Sequence, residues 1–168
     1  MSQNILIIGG VALGPKAAAR ASRLLPDANI TMIDQGTYIS YGGCGIPYFV
    51  GGDVQQMNGL RTTNAGVVRD ESFFTTQKNV KTFCHTRALS IDRRAKTVTV
   101  ENTETGEQSQ MPYDKLVIAT GSSPRIPPLP GVDLRNVTSV TCLEAAQEIQ
   151  QRCAANGIQH AVIIGAGF

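Results

Sequence analysis

The stretch Ile5-Leu6-Ile7-Ile8-Gly9-Gly10-Val11-Ala12-Leu13-Gly14 decides the fold of this chain. Four consecutive apolar residues predict a strand of a parallel sheet that is buried on both faces. Gly9 and Gly14 hold the first and third positions of a phosphate-binding turn, and Val11 stands in the place of the second glycine. Gly14-Pro15 then opens a predicted helix that stops at Pro26-Asp27.

A second strand follows this helix and completes a β-α-β unit. Residues 30–34 are Ile-Thr-Met-Ile-Asp, so an acidic residue ends the strand. Asp34 is placed to accept hydrogen bonds from a ribose hydroxyl, and the helix N-terminus offers N–H groups to phosphate. The combined pattern predicts a site for an adenine dinucleotide. An ordinary strand-to-helix turn with glycines for packing is the alternative.

The rest of the chain predicts further strands, one loop-rich segment and one late helix. Residues 51–70 are expected to be mostly loop, and residues 143–153 to form a helix with Ala145, Ala146, Ile149 and Cys153 on one side. Short strands are predicted at 80–83, 88–91, 97–100 and 108–111, followed by a buried parallel strand at 116–119. The fold class is therefore α/β, a Rossmann-like parallel sheet with helices plus a small antiparallel β-meander.

The last residues repeat the opening pattern. Ala161-Val162-Ile163-Ile164 predicts another buried strand, and Gly165-Ala166-Gly167 begins a second glycine turn. We therefore expect residues 1–160 to form one nucleotide-binding domain and residues 161–168 to be the first strand and start of a truncated second one. On this interpretation the chain is the N-terminal portion of a larger protein with two dinucleotide folds.

Cys44 is set apart from the other three cysteines because Gly42, Gly43 and Gly45 surround it. These glycines allow a planar ligand to approach, and a helix beginning here would favour the thiolate. No second cysteine stands within two helical turns, so redox chemistry at Cys44 must use a small-molecule sulfur or a sulfenic acid. An inert thiol in a tight turn is the alternative. Cys84, Cys142 and Cys153 are expected to be buried thiols, and the spacings predict no metal site.

Charge and composition exclude several partners. A formal net charge of +2, from 15 basic and 13 acidic residues, gives no footprint for nucleic acid or an anionic membrane. No apolar run approaches the ~20 residues of a membrane span, and a cytoplasmic protein is expected. Lys16, Arg20 and Arg23 share one helix face, which is either a plain solvated face or a receptor for an anionic substrate.

Three segments together resemble the flavin-dependent pyridine nucleotide-disulfide oxidoreductases, and most closely their single-cysteine branch. That branch contains coenzyme A-disulfide reductases and NADH-dependent persulfide or polysulfide reductases. The segments are residues 8–14, the run Tyr38-Ile39-Ser40-Tyr41-Gly42-Gly43-Cys44-Gly45-Ile46-Pro47-Tyr48, and residues 113–124 around Ala119-Thr120-Gly121. Valine at the second glycine position is typical of this branch. Position 43 departs from it, because the branch often has asparagine at that position and this chain has Gly43.

The resemblance implies an enzyme that passes electrons from NAD(P)H through FAD to a disulfide, persulfide or polysulfide, with coenzyme A as a possible component. It implies that Cys44 lies against the flavin and forms a mixed disulfide with the substrate. The implied FAD-binding residues are Gly9, Gly10, Val11, Ala12, Gly14, Asp34, Gln35, Ala88, Ala119, Thr120 and Gly121. The residues that it assigns to coenzyme A are Lys16, Arg20, Arg23 and Ser40.

The resemblance also places the NAD(P)H domain, further flavin contacts and the dimerisation domain beyond residue 168. A homodimer is therefore expected for the full-length protein, and no reductase activity for this chain alone. Two alternatives stay open. One is an NADH oxidase or peroxidase that cycles its cysteine through sulfenic acid, and the other is a non-catalytic nucleotide-binding module.

Overall fold

Four parallel strands form the centre of the molecule in the computed structural model, which describes residues 2–156 and 158–165. Strand β1 is central, with β2 and then β3 on one side and β7 on the other. Their bounds are β1 Asn4–Ile8, β2 Asn29–Ile33, β3 Lys81–Phe83 and β7 Lys115–Ile118. Because the strands are parallel, their carboxyl ends meet at one edge of the sheet, which is where ligands bind in such folds.

Two of the four helices, the first and the third, pack on one face of this sheet, and the other two pack against each other. Their bounds are α1 Leu13–Leu24, α2 Ile46–Gly51, α3 Glu71–Lys78 and α4 Leu143–Asn156, with 3-10 turns at Gly43–Gly45 and Met57–Leu60. Ala18 of α1 and Phe74 of α3 pack against Ile7 and Met32 of the sheet. The predicted β-α-β unit is thus present, with β2 ending one residue before Asp34.

A three-stranded antiparallel sheet covers the other face. It consists of β4 Thr86–Asp92, β5 Thr97–Asn102 and β6 Gln108–Pro112, in that order. Val98 and Val100 of β5 pack against Leu6, Ile8 and Ile33. Alternation of apolar side chains along β1 therefore supplies two cores, one on each face. The predicted combination of a parallel sheet, helices and an antiparallel meander is confirmed.

Helix α3 was not predicted from the sequence, although its start carries a recognisable cap. The Asp70 side chain accepts a hydrogen bond from the Phe73 N–H at 2.8 Å, and Asn79 ends the helix with a φ of 51°. Both features are typical of helix ends. The rings of Phe73 and Phe74 in this helix pack edge to face against each other.

The structure differs from two strand predictions. Strand β7 ends at Ile118 rather than Ala119, and it is half-buried, with Ile118 59% exposed, because only β1 pairs with it among the described residues. Residues 161–164 form no strand, and Val162 and Ile163 are 90% and 85% exposed. A strand needs a hydrogen-bonded neighbour, and none lies beside this segment in the part of the chain that the structure describes. The predicted turn at residues 166–168 lies outside the described residues.

None of the helices within residues 2–156 is both long enough and apolar enough to cross a membrane.

Candidate functional site

The glycine turn after β1 is so tight that side chains are excluded at two positions. Gly9 has a φ of +111°, and a Cβ there would stand 2.1 Å from the carbonyl oxygen of Ala119. A Cβ at Gly14 would stand 1.7 Å from the carbonyl oxygen of Gly9. The turn is held on the sheet by the Gly9 N–H, which donates to Ile33 at 2.8 Å. Glycine is therefore required by the backbone itself at these positions.

Asp34 organises the turn from the end of β2. One carboxylate oxygen accepts the Gly10 N–H at 2.6 Å, and the other accepts the Gly36 N–H at 2.8 Å. A Cβ at Gly10 would stand 3.0 Å from the Asp34 Cβ and 2.7 Å from an Ile39 methyl group. Each carboxylate oxygen keeps a further lone pair with which to accept a hydroxyl hydrogen. The residue predicted to bind ribose therefore lies against the turn and also fixes its shape.

The first turn of α1 is part of the same glycine turn. Ala12, the N-cap residue, makes no side-chain hydrogen bond, so its side chain does not occupy the N–H groups of the first turn. These groups carry the positive end of the helix dipole. The glycine turn and the start of α1 together form a concave backbone surface suited to a pyrophosphate.

The segment that leads to Cys44 is attached to this turn. The Ser40 N–H donates to the carbonyl oxygen of Gly10 at 2.8 Å, and Ser40 is 6% exposed with a φ of 52°. Val11 packs against the apolar cluster of Tyr41, Ile46 and Phe49. A valine in place of the second glycine is thus explained by packing, because its side chain joins an apolar cluster that includes residues before and after the cysteine.

Cys44 lies in the 3-10 turn that runs directly into α2, and it is exposed. Nothing lies within 4 Å of a Cβ built at Gly43, whereas Gly45 is tightly covered, with a Leu60 methyl group 2.3 Å from such a Cβ. The loop is anchored by the Gly42 N–H, which donates to Leu60 at 2.9 Å. One side of the cysteine is therefore packed and the other is open to a ligand.

The other cysteines differ from the prediction of three buried thiols. Cys84 and Cys142 are half-buried, and Cys153 is exposed because the last turns of α4 extend past the core. Burial raises the pKa of the Cys84 thiol to about 12, with further contributions from the Glu71 charge and its hydrogen bond to the thiol. Burial also raises the pKa of Cys142. Both environments disfavour a thiolate.

The structure brings most of the remaining predicted cofactor residues to the same edge. The Ala119 N–H donates to Ile8 at 2.7 Å, and Gly121 follows with a φ of 68°. Thr120 between them is exposed. Gln35 accepts a hydrogen bond from the Arg87 side chain at 3.2 Å, which joins it to the start of β4. Ala88, one residue on, packs into the core between the sheets and stands where the register between β4 and β5 shifts.

Lys16, Arg20 and Arg23 are exposed on α1. None of the three has an ion-pair partner within 4.0 Å among residues 2–156 and 158–165. The face carries three positive charges, uncompensated by a described carboxylate, on the helix whose N-terminus forms the turn. The predicted role of this face in substrate binding stays a prediction.

Sequence reasoning missed two side chains of α4 at this site. Glu144 accepts the Thr37 N–H at 3.0 Å, and the Gln150 side chain donates to the Phe49 carbonyl oxygen at 3.1 Å. Burial raises the pKa of Tyr41 to about 12, and the charges of Glu144, Cys142 and Asp34 add to the effect. No local pattern relates residue 144 to residue 37, so only the folded chain reveals these contacts.

Within the described residues no group of three or more His, Cys, Asp or Glu side chains could hold a metal ion.

The sequence profile of the pyridine nucleotide-disulphide oxidoreductases matches residues 3–168. The chain belongs to this family, whose members use FAD and NAD(P)H.

Among individual relatives, the chain is 29% identical over its full length to an NAD(P)H coenzyme A polysulfide/persulfide reductase from Pyrococcus horikoshii. It is 30% identical over 98% of its length to an NADH oxidase from Enterococcus faecalis. It spans 35% of the length of each. Among solved structures it resembles an NAD-dependent persulfide reductase from A. fulgidus, with 42% identity and a TM-score of 0.87 over 91% of this chain and 28% of that one.

The residues present fit FAD. At Gly9 and Gly14 a Cβ would collide with the carbonyl groups of Ala119 and Gly9. These two positions therefore form part of a cradle that only glycine backbone can line. The uncapped N–H groups of α1 suit its pyrophosphate, and the Asp34 carboxylate suits a ribose hydroxyl. An exposed thiol on a loop attached to that cradle completes the arrangement.

Proposed function

We propose that this chain is the FAD-binding part of an NAD(P)H-dependent disulfide reductase whose single redox-active cysteine is Cys44. One observation carries the proposal. Among the four cysteines, Cys44 is the one that is both exposed and joined to the dinucleotide turn, through the Ser40–Gly10 hydrogen bond. Family membership and the reductases among the relatives support it.

The chemistry at Cys44 requires no second protein thiol. Its thiolate attacks one sulfur of a substrate R–S–S–R, displaces R–S⁻, which takes a proton, and leaves a Cys44–S–S–R mixed disulfide. Two electrons and a proton then release R–SH and regenerate the thiolate. Bound FAD supplies this electron pair from NAD(P)H. The backbone of the glycine turn, Asp34 and the loop through Ser40 position the cysteine and the cofactor.

We further propose a coenzyme A-linked disulfide, persulfide or polysulfide as the substrate. The printed name of the P. horikoshii relative includes coenzyme A. The exposed cations Lys16, Arg20 and Arg23 supply charges that suit its phosphates, and Ser40 stands on the loop that leads to Cys44. An NADH oxidase is the second candidate, because a relative with that name is equally similar. In that case Cys44 would cycle through a sulfenic acid.

The proposal extends to the full-length protein. It includes an NAD(P)H-binding unit that begins within residues 161–168, a homodimer, and a cytoplasmic location. Because the chain spans 35% of its relatives' length, the chain alone is expected to lack disulfide reduction.

A comparison of two cysteine variants of the full-length protein tests the assignment. Cys44→Ser should retain FAD and its reduction by NADH, and it should lose turnover of coenzyme A disulfide by at least about a thousandfold. The double variant Cys142→Ser/Cys153→Ser is the matched control and should stay within about tenfold of the wild type. Loss of turnover in the control, with turnover intact in Cys44→Ser, would refute the assignment. Water or peroxide formation from oxygen without disulfide turnover would favour the oxidase instead.

A further inference from the structure

Helix α4 contacts both halves of the site, although it contributes no residue to the predicted site. At its first turn, Glu144 accepts the Thr37 N–H at 3.0 Å, from the loop that follows Asp34. Two turns later, Gln150 donates to the carbonyl oxygen of Phe49, within the helix that follows Cys44. One rigid element therefore connects the loop after Asp34 to α2, the helix that follows Cys44.

The contact at Glu144 is part of a converging pair of carboxylates. A Cβ at Gly36 would stand 3.3 Å from an oxygen of Asp34 and 3.3 Å from an oxygen of Glu144. Asp34 accepts the Gly36 N–H and Glu144 accepts the next N–H along the chain, that of Thr37. Two successive amides are thus bound by two carboxylates from different elements. Such charge-assisted bonds fix the loop in one conformation.

Packing makes the connection stiff. Leu143 and Ala146 of α4 are fully buried against Tyr41, Ile46 and Phe49. These three residues flank Cys44 on both sides in the sequence. A shift of the α4 N-terminus would therefore move the cysteine segment as well, because a close-packed contact does not deform freely.

We propose that Glu144 is a positioning residue. Through α4 it fixes the position of the loop after Asp34 relative to α2, the helix that follows Cys44. The inference rests on the proposed function for its cofactor, but its contacts stand on the geometry alone. Glu144 acts through the Thr37 N–H and through α4, so its role is distinct from binding FAD directly. Gln150 is the corresponding contact at the cysteine end.

Variants of the full-length reductase separate an acceptor role from a charge or packing role. Glu144→Ala removes the acceptor, whereas Glu144→Gln keeps an amide oxygen that can accept the Thr37 N–H. Glu148→Ala is the matched control, because Glu148 is an exposed acid on the same helix whose recorded contact is with Arg152 at 3.2 Å. Two readouts that do not depend on turnover are measured, namely the FAD dissociation constant and amide hydrogen exchange.

In Glu144→Ala we expect the FAD dissociation constant to rise about tenfold, the effect of one hydrogen bond to a charged group. In the FAD-free protein, exchange should become faster both at residues 35–42 and at residues 46–52. Glu144→Gln should recover most of both effects, and Glu148→Ala should match the wild type. Gln150→Ala should speed exchange at residues 46–52.

Three results would overturn the proposal. They are an unchanged FAD dissociation constant in Glu144→Ala, exchange that changes at residues 35–42 alone, and a Gln variant as impaired as the Ala variant. The failure of the proposed function is distinguishable. A wild type that binds FAD without reducing disulfides contradicts the function and leaves the exchange and affinity readouts to decide the role of Glu144.

Discussion

At the scale of single residues, the surroundings of each thiol separate the cysteines by chemistry. Cys84 lies at the end of β3, where its N–H donates to Glu71 at 2.7 Å and its thiol also meets that carboxylate. A buried thiol beside a carboxylate resists ionisation. Cys44, by contrast, is exposed in the 3-10 turn that leads into α2. Four cysteines of one chain thus divide into protected and accessible thiols through their location alone.

The raised pKa of Cys84 predicts how stability changes in alkaline solution. The unfolded thiol ionises near its ordinary value of 9.0, whereas the folded one does so at about 12. The unfolded chain therefore releases its proton first, and the associated stability is complete below pH 9 and is lost as pH rises toward 12. Cys84→Ala should lose less free energy of unfolding between pH 8 and pH 10 than the wild type does.

Urea unfolding at a series of pH values measures this slope. Cys153→Ala, which changes an exposed thiol, is the control. Tyr41 also has a raised pKa, but it is unchanged in every variant and contributes equally. Equal slopes for Cys84→Ala and the wild type would show that the thiol is not protected in the folded chain.

At the scale of elements, the glycine turn predicts a sharp contrast between two substitutions. Gly14→Ala would place a Cβ 1.7 Å from a backbone oxygen that cannot move without breaking the turn. Gly43→Ala adds the same atom beside Cys44, where nothing lies within 4 Å. We expect Gly14→Ala to lower the free energy of unfolding by about 3 kcal/mol or more and to abolish FAD binding.

Thermal unfolding and flavin content of the purified proteins measure this contrast. Gly43→Ala should keep the flavin content of the wild type. Its free energy of unfolding should rise by at most about 1 kcal/mol, because the unfolded chain has less conformational entropy to lose. A yellow, stable Gly14→Ala protein would contradict the geometry assigned to the turn.

The basic face of α1 gives a prediction about substrate choice. If Lys16, Arg20 and Arg23 bind the phosphates of coenzyme A, Arg23→Glu should raise KM for coenzyme A disulfide far more than KM for a small uncharged disulfide. Each charged hydrogen bond that is lost should cost about 1.5–3 kcal/mol. Steady-state kinetics of the full-length protein with both substrates measures the difference. Equal effects on the two substrates would leave these side chains as a solvated face.

The sequence predicted those elements whose characteristic residues stand close together in the chain. The apolar run of β1, the glycines of the turn and Asp34 all stand where the sequence placed them, because one β-α-β unit determines their relation. Helix α3 was missed, since its moderate apolar face follows a loop-rich segment and only the Asp70 cap announces it. The predicted strand at residues 161–164 is absent because pairing depends on a neighbour that a local pattern does not contain.

At the scale of the whole molecule, the site is assembled from segments more than 100 residues apart. Residues 9–14, 34–44, 119–121 and 143–150 meet at the carboxyl edge of one parallel sheet, and the contacts of Asp34, Ser40 and Glu144 hold them there. The sequence showed three of these four segments through motifs. The fourth, α4, joins the site by tertiary packing alone, which is why Glu144 and Gln150 were not predicted.

Direct capture of the mixed disulfide tests the central claim, that Cys44 is the single redox-active cysteine. The reduced full-length protein is mixed with coenzyme A disulfide in the absence of NAD(P)H, and its peptides are mapped by mass spectrometry. We predict one coenzyme A thiol attached to Cys44 and released when NADH is added to the FAD-loaded protein. A modification on Cys84, Cys142 or Cys153 with Cys44 unmodified, or an adduct on Cys44 that NADH does not remove, would contradict the account.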